Sequence, residues 1–163
     1  MTREPPHTLK IVTVWLLVGL TVFLGFQYWQ HRQQQTAFST QGGVIEIRRG
    51  SDGHYHWPGT INGRAVDFLI DTGATGTAIS SALARELGLE VLGAVQSMTA
   101  GGVVQGHEVR ADVSLRGGVR ADRLRITALP GLGDKPLLGM NVLGRLSWQQ
   151  RDGVLTIDLG SSR

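Results

Sequence analysis

One carboxylate in this chain directly follows an apolar run. Residues 68–70 are Phe-Leu-Ile, and Asp71, Thr72 and Gly73 come next. A strand buried on both faces reads as a continuous apolar run, so the pattern predicts a strand that delivers Asp71 to a turn. Gly73 allows a tight backbone there and leaves its N–H close to the carboxylate. The chemistry open to such a carboxylate is proton transfer. The structural alternative is an ordinary Asp-Gly turn, which the tripeptide alone favours.

The residues and motifs that several other classes of enzyme require are missing from this sequence. The chain of 163 residues contains no cysteine, which excludes disulfides and thiolate catalysis. It has no Walker loop, G-x-G-x-x-G, G-x-S-x-G or H-E-x-x-H motif for nucleotide binding, serine hydrolysis or zinc peptidase chemistry. His54 and His56 have no third metal ligand beside them, and exposed strand positions explain them better. The net charge of +3 is spread over interspersed charges, so no nucleic-acid partner is expected.

The elements predicted around Asp71 are short strands separated by turns. Strands are predicted at residues 44–47, 55–61, 64–70, 77–80, 112–115 and 124–129, with hairpins over 91–113 and 146–159. Asn62-Gly63 is a strong hairpin turn, and Pro58 in the preceding arm indicates an edge strand or a bulge. A helix is predicted at 82–87, capped by Ser80 or Ser81 and ended by the following glycine.

Two further stretches bear on function. The hairpin over 91–113 has the tip Thr99-Ala100-Gly101-Gly102, and its adjacent glycines indicate a mobile flap over a ligand or a loose surface hairpin. Residues 137–146 read LLGMNVLGRL, an apolar strand that meets a glycine and then a short helical turn. The whole predicts an all-β domain with one short helix, compact enough for a small barrel.

The N-terminal segment is different in kind. Residues 11–29 carry no charge and end in Tyr28 and Trp29, which favour a membrane interface. About 20 apolar helical residues cross a bilayer. A cleaved signal peptide would have a shorter apolar region and a small-residue cleavage site, so an uncleaved, single transmembrane helix is predicted.

The charges that flank this helix predict its orientation. Arg3 and Lys10 precede the span, and the positive-inside bias places residues 1–10 in the cytoplasm by a margin of about one charge. Residues 30–43 are polar and Gln-rich, which predicts a flexible tether. Residues 44–163 then form the domain, outside the cytoplasm.

The stretch FLIDTGAT, the single helix, the glycine-tipped hairpin and LLGMNVLGRL together resemble the retropepsin-like (clan AA) aspartic proteases. More narrowly, they are similar to the bacterial, membrane-anchored branch of these proteases. The match runs from about residue 54 to residue 159. In such folds the Leu-Leu-Gly strand crosses beneath the aspartate loop and supports it. The resemblance therefore implies a retropepsin-like barrel and an aspartic endopeptidase, with neither a cofactor nor a metal.

The resemblance also implies a partner copy. An aspartic protease needs two carboxylates that share one proton around a water. This chain has one D-T-G, and neither Asp134 nor Asp152 follows an apolar run, so a symmetric homodimer with one Asp71 per protomer is expected. The short, polar C-terminus departs from the interface strands of the viral relatives. Membrane anchoring would raise the effective concentration of protomers.

The residue roles follow from the resemblance alone. Asp71, Thr72 and Gly73 are the expected catalytic residues, with Asp71 acting on water, the Thr72 hydroxyl bonding across the dimer axis and the Gly73 N–H supporting the carboxylate. The expected substrate-binding residues are Ala74 in the cleft and Met98, Thr99, Ala100, Gly101, Gly102 and Val103 in the flap. The substrate would be an extended segment of an envelope protein, cut on the periplasmic side of a bacterial inner membrane.

Two other classes of function are also open. A retropepsin-fold peptide-binding or scaffold module would keep the fold and cut nothing, as a strict monomer with one carboxylate would. A pure membrane tether, with the β-domain as spacer, has only the anchor in its favour.

Overall fold

The computed structural model of the chain describes residues 7–34, 37–39, 43–99 and 101–160. Contacts divide the chain into two units, Met1–Gln35 and Thr36–Arg163. The elements within the described residues are, in chain order, α1 His7–Gln34, β1 Ala37–Ser39, β2 Val44–Arg48, β3 His56–Ile61, β4 Arg64–Ile70, β5 Ala78–Ser80, α2 Ser81–Glu86, β6 Glu90–Thr99, β7 Gly102–Leu115, β8 Val119–Leu129, β9 Leu137–Leu138, α3 Met140–Leu143, β10 Ser147–Arg151 and β11 Val154–Asp158.

The first unit is the helix α1. Its window Ile11–Tyr28 is long and apolar enough to cross a membrane, and none of that window is buried. A signal sequence near an N-terminus would have the same properties. The helix continues to Gln34, and thus into the first residues of the predicted tether.

The second unit is built on a closed barrel, as the sequence predicted. Strand order around the main sheet is β1-β8-β5-β9-β4-β3-β7-β6, and an additional β7–β8 pairing closes six of these strands into a ring. β1 and β6 lie outside this ring, each paired to one barrel strand. A second sheet, with the order β10-β11-β2, completes the unit. The barrel and the two short helices confirm a mostly-β fold.

The interior of this unit is apolar and continuous. Its largest fully buried side chains include those of Trp57, Phe68, Ile79, Ile126 and Leu138, which come from five different strands of the ring. The indole N–H of Trp57 donates to the Arg116 carbonyl at 2.9 Å, so this large side chain is buried with its polar atom satisfied.

The predicted hairpins and helix are present. Asn62 and Gly63 turn between β3 and β4 with positive φ angles of 47° and 83°. α2 is capped by Ser80, whose Oγ accepts from the Leu83 N–H at 3.1 Å. Gly88 follows with φ 57°.

Three expectations differ from the structure. Pro58 lies on neither an edge strand nor a bulge: β3 lies between β4 and β7, and its pairing with β7 begins one residue later, at Gly59. Residues 112–115 are the end of the long strand β7 rather than a separate strand. Within the predicted tether, Ala37–Ser39 pair with residues 120–122 of β8, because this strand has a free edge there.

Candidate active site

Asp71 lies one residue beyond the end of β4, as its apolar run indicates. β4 pairs in parallel with β9, with Ile70 opposite Leu138. The Asp71 N–H then donates to the Leu138 carbonyl at 3.0 Å, so the ladder continues through the aspartate itself. The backbone of Asp71 is therefore fixed by the barrel, while its side chain is only half-buried.

The residues after Asp71 form a tight turn around its carboxylate. The Gly73 N–H donates to Asp71 Oδ1 at 2.9 Å, and the Ala74 N–H donates to the Asp71 carbonyl at 3.3 Å. A Cβ on Gly73 would lie 3.2 Å from the same carboxylate oxygen, a tight contact. Thr72 is exposed at the outside of the turn. The carboxylate is thus oriented by a main-chain donor and remains accessible to solvent.

The second stretch singled out in the sequence lies against this turn. The Met140 N–H donates to the Ala74 carbonyl at 2.8 Å, and the Asn141 N–H donates to the Thr75 carbonyl at 3.0 Å. Both donors belong to the first turn of α3, whose N–H groups have no partner within the helix. The aspartate turn and α3 therefore satisfy each other's main-chain groups.

Asn141 is a further residue that holds the site together, and the sequence assigned it no role. Its Oδ1 accepts from the N–H and the hydroxyl of Thr77, at 2.9 and 2.8 Å, and its Nδ2 donates to the Arg125 carbonyl at 3.2 Å. Thr77 is the one buried polar side chain among the described residues. The sequence signal that could have identified this role is a single asparagine within an apolar helical turn.

The predicted flap residues lie at the tip of the β6–β7 hairpin. Met98 and Val103 face each other across the strands and are 86% and 63% exposed. Thr99 Oγ1 donates to the Gly102 carbonyl at 2.9 Å and accepts from the Gly101 N–H at 3.3 Å. Ala100 lies outside the described residues.

The predicted flap and the aspartate turn are not joined by hydrogen bonds within the described residues. Pairing of β7 with β8 begins at His107, which is opposite Ala128. Residues 102–106 of β7 pair only with β6, so the two arms of the hairpin tip bond only to each other. Within residues 43–99 and 101–160, no hydrogen bond joins the tip to Asp71.

A groove of about 460 Å³ lies elsewhere, between α2 and the base of the hairpin, and is lined mainly by apolar side chains. None of the predicted site residues lines it. Among the described side chains, no group of three or more His, Asp or Glu residues is arranged to hold a metal ion.

His56 is not simply an exposed strand residue. Its side chain is 21% exposed, with Nδ1 2.9 Å from Asp67 Oδ2 and Nε2 2.8 Å from Asp52 Oδ2. The His54 N–H and the His56 side chain hold the pKa of Asp52 below its ordinary value, because both favour the charged carboxylate.

Comparison with known proteins assigns the family. Residues 57–145, more than half of the chain, match the family model described as gag-polyprotein putative aspartyl protease. The matched segment contains Asp71, Gly139 and Asn141. The chain belongs to this family of retropepsin-like aspartic proteases.

Bacterial relatives are similar to the chain. An uncharacterized protein from Rickettsia prowazekii is 28% identical over 160 residues, which cover 90% of this chain and 69% of that protein. An uncharacterized protein from Sinorhizobium is 29% identical over 110 residues, 65% of this chain and 47% of the relative, so the match spans about half of that protein. The crystal structure of a retropepsin-like aspartic protease from Rickettsia conorii superposes with a TM-score of 0.57 at 22% identity, covering 76% of this chain and 94% of that one. This likeness confirms the retropepsin-like fold.

Proposed function

We propose that the protein is an aspartic endopeptidase that is active as a homodimer and anchored in a membrane by α1. The observation that carries the proposal is the geometry of Asp71. Its carboxylate is oriented by the Gly73 N–H at the end of a barrel strand, half-exposed, in a chain of the aspartyl protease family.

The proposed reaction uses two Asp71 carboxylates with one shared proton. Like charges held close together cannot both ionise, so one carboxylate is the base and the other the acid. The ionised carboxylate takes a proton from water as the water oxygen bonds to the peptide carbonyl carbon, and the protonated carboxylate donates its proton to the carbonyl oxygen. The C–N bond then breaks as the amine nitrogen takes the proton that the first carboxylate removed from water, while the second carboxylate regains a proton from a hydroxyl of the tetrahedral diol. The products are a carboxylic acid and an amine, and the pair again holds one proton.

A second protomer supplies what one chain lacks. The exposure of Thr72 on the outside of the turn is compatible with a hydroxyl contact across a two-fold axis. Ala74 would line the cleft between the protomers. The exposed apolar pair Met98 and Val103 would close on a substrate that lies extended beneath the flap.

The proposed location follows from α1. As an uncleaved anchor, the window Ile11–Tyr28 would hold the domain at a bacterial inner membrane, with the positive-inside bias favouring the periplasmic side. The substrate would then be an extended segment of an envelope protein. The intact mass of the protein from a membrane fraction tests this: a chain that retains its N-terminus supports an anchor, and loss of residues 1 to about 30 indicates a cleaved signal sequence.

Peptide cleavage by the full-length chain in detergent tests the activity. A mixed peptide library would be incubated across a pH series, with and without a statine-type transition-state mimic. Asp71→Asn should lower turnover by at least about a thousandfold, since it removes the shared-proton chemistry, while an amide can still accept from the Gly73 N–H. Asp134→Asn and Asp152→Asn are matched controls and should retain parent turnover. Unchanged cleavage by Asp71→Asn would end the proposal.

Mixing the protomers tests the dimer. When parent and Asp71→Asn chains are mixed in equal amounts and exchange freely, about one quarter of the dimers carry both Asp71 carboxylates, so activity should fall to about one quarter of that of the parent at the same total concentration. A fall to one half would mean that each chain acts alone. A chain that stays monomeric by sedimentation and cleaves nothing would instead favour the peptide-binding module.

A further inference from the structure

A cluster of four charged or titratable side chains lies beside β4 and just before β9, the two strands that lead to the candidate active site. We call it the His56 cluster, and it consists of Asp52, His56, Asp67 and Lys135. Asp67 lies on β4 four residues before Asp71, and Lys135 lies four residues before Gly139. His56 is opposite Leu69 on the neighbouring strand.

Protonated His56 satisfies both carboxylates. Asp52 and Asp67 oxygens lie within 2.9 Å of its two ring nitrogens, and a carboxylate oxygen can only accept when ionised. Only imidazolium carries two N–H donors. Lys135 Nζ adds a third contact, 3.5 Å from Asp67 Oδ2.

Neutral His56 cannot make both bonds, because neutral imidazole has one N–H. The nitrogen without a proton would direct its lone pair at a carboxylate. Lys135 decides which nitrogen this is: its Nζ lies 3.3 Å from His56 Nδ1 and can donate to it. Nε2–H therefore stays on Asp52, Nδ1 accepts from Lys135, and the short Nδ1 to Asp67 contact becomes unfavourable.

We propose that His56 is a proton-controlled positioning residue, with Nδ1 held by Asp67 when the ring is protonated and by Lys135 when it is neutral. On loss of the ring proton, Lys135 exchanges its contact with Asp67 for a bond to Nδ1. It lies in the segment between β8 and β9, where residues 133–135 are exposed. Pro136, the next residue, accepts from the Leu69 N–H at 2.8 Å and leads into β9, which supports the Asp71 turn. The link to catalysis rests on the proposed peptidase function.

Other charges surround the same imidazole. His56 lines a groove of about 620 Å³ together with Glu46 and Arg48 on β2 and Arg116 after β7. The two ring nitrogens nonetheless contact Asp52, Asp67 and Lys135. His54 lies on the same loop as Asp52, to which it gives a main-chain bond at 3.1 Å. It is an exposed neighbour and a matched control.

The first experiment does not depend on activity. Nitrogen NMR of the full-length chain in detergent would follow both ring nitrogens of His56 and the Nζ of Lys135 from pH 5 to 8, the range in which histidines change charge. We expect the neutral ring as the Nε2–H tautomer, with the Lys135 shift moving at the same midpoint. In Lys135→Met the Nε2–H preference should be lost. An Nδ1–H tautomer in the parent would overturn the proposed exchange of partners at His56. So would a Lys135 Nζ chemical shift that does not change at the pH midpoint of His56.

The second experiment tests the link to the site. Across the same pH range, parent kcat/KM divided by that of His56→Gln should change by roughly fivefold, the effect of one rearranged hydrogen bond. The ratio for His54→Gln should stay flat. Superimposable pH profiles of kcat/KM for parent and His56→Gln would overturn the link between His56 and catalysis. The exchange of partners at His56 would then be decided by the NMR result alone. If His56→Gln does not fold, Lys135→Met takes its place in the same comparison. A parent with no peptidase activity would contradict the proposed function and the link between His56 and catalysis. It would not contradict the exchange of partners at His56, which the NMR experiment tests.

Discussion

A Cβ atom on Gly139 would lie 2.3 Å from the carbonyl oxygen of Gly76. That oxygen belongs to the main chain of the aspartate turn, so no side-chain rotation can relieve the contact. Gly139 is therefore the position at which β9 and α3 approach the Asp71 turn most closely. Its φ of −97° suits any residue, so the requirement for glycine comes from space alone.

Gly139→Ala should lower the free energy of unfolding by about 3 kcal/mol, because overpacking must displace main chain rather than a side chain. Urea unfolding measures it. Gly133→Ala, in the preceding loop, is the control, since its added Cβ would meet open space and should change stability by less than about 1 kcal/mol. Equal effects of the two substitutions would contradict the close approach.

Asn141→Ala should destabilise the fold by about 2–4 kcal/mol, because the buried Thr77 N–H and hydroxyl lose their common acceptor. Thr77→Val should cost about 1 kcal/mol, since its N–H keeps the bond. The double variant should cost less than the sum of the two, as expected for residues that share a bond. Additive effects in urea unfolding would show that the pair is not coupled.

Val103→Ser should lower kcat/KM roughly tenfold if the hairpin tip closes on substrate, because an apolar contact of about 1.5 kcal/mol is lost. Val44→Ser is the matched control: Val44 is 65% exposed on β2, against 63% for Val103, and lies outside the predicted flap. A similar loss in both variants, measured as steady-state peptide cleavage, would contradict a role for the tip.

Asp52→Asn should change how stability depends on acid. The pKa of Asp52 is lowered by the His54 N–H and by His56, so its contribution to folding is present above its unfolded pKa and is lost as pH falls through its folded value. The unfolding free energies of parent and variant should therefore differ near neutral pH and converge below about pH 4. Thermal or urea unfolding from pH 2 to 7 measures this. A curve for Asp52→Asn that runs parallel to that of the parent would contradict the bond network.

Local patterns determined most of the elements. The apolar run before Asp71, the Asn62-Gly63 turn, the Ser80 cap and the uncharged N-terminal segment all act through near neighbours in the chain. Such signals need no knowledge of the fold, because strand period, turn conformation and helix capping are local properties. The pattern LLGMNVLGRL likewise indicated a strand, a glycine and a helical turn in the right order, and resemblance to a family supplied the barrel that joins them.

Only the tertiary structure decided which residues support the site. Asn141 bonds to Thr77 across 64 positions, and Gly139 meets Gly76 across a similar separation. His56, interpreted from sequence as an exposed strand residue, lies between Asp52 and Asp67 with Lys135 brought in from 79 positions away. The strand β1 arises because β8 offers a free edge. These contacts depend on how the closed ring brings distant segments together, and hydrogen bonds between distant side chains leave no periodic trace in the sequence.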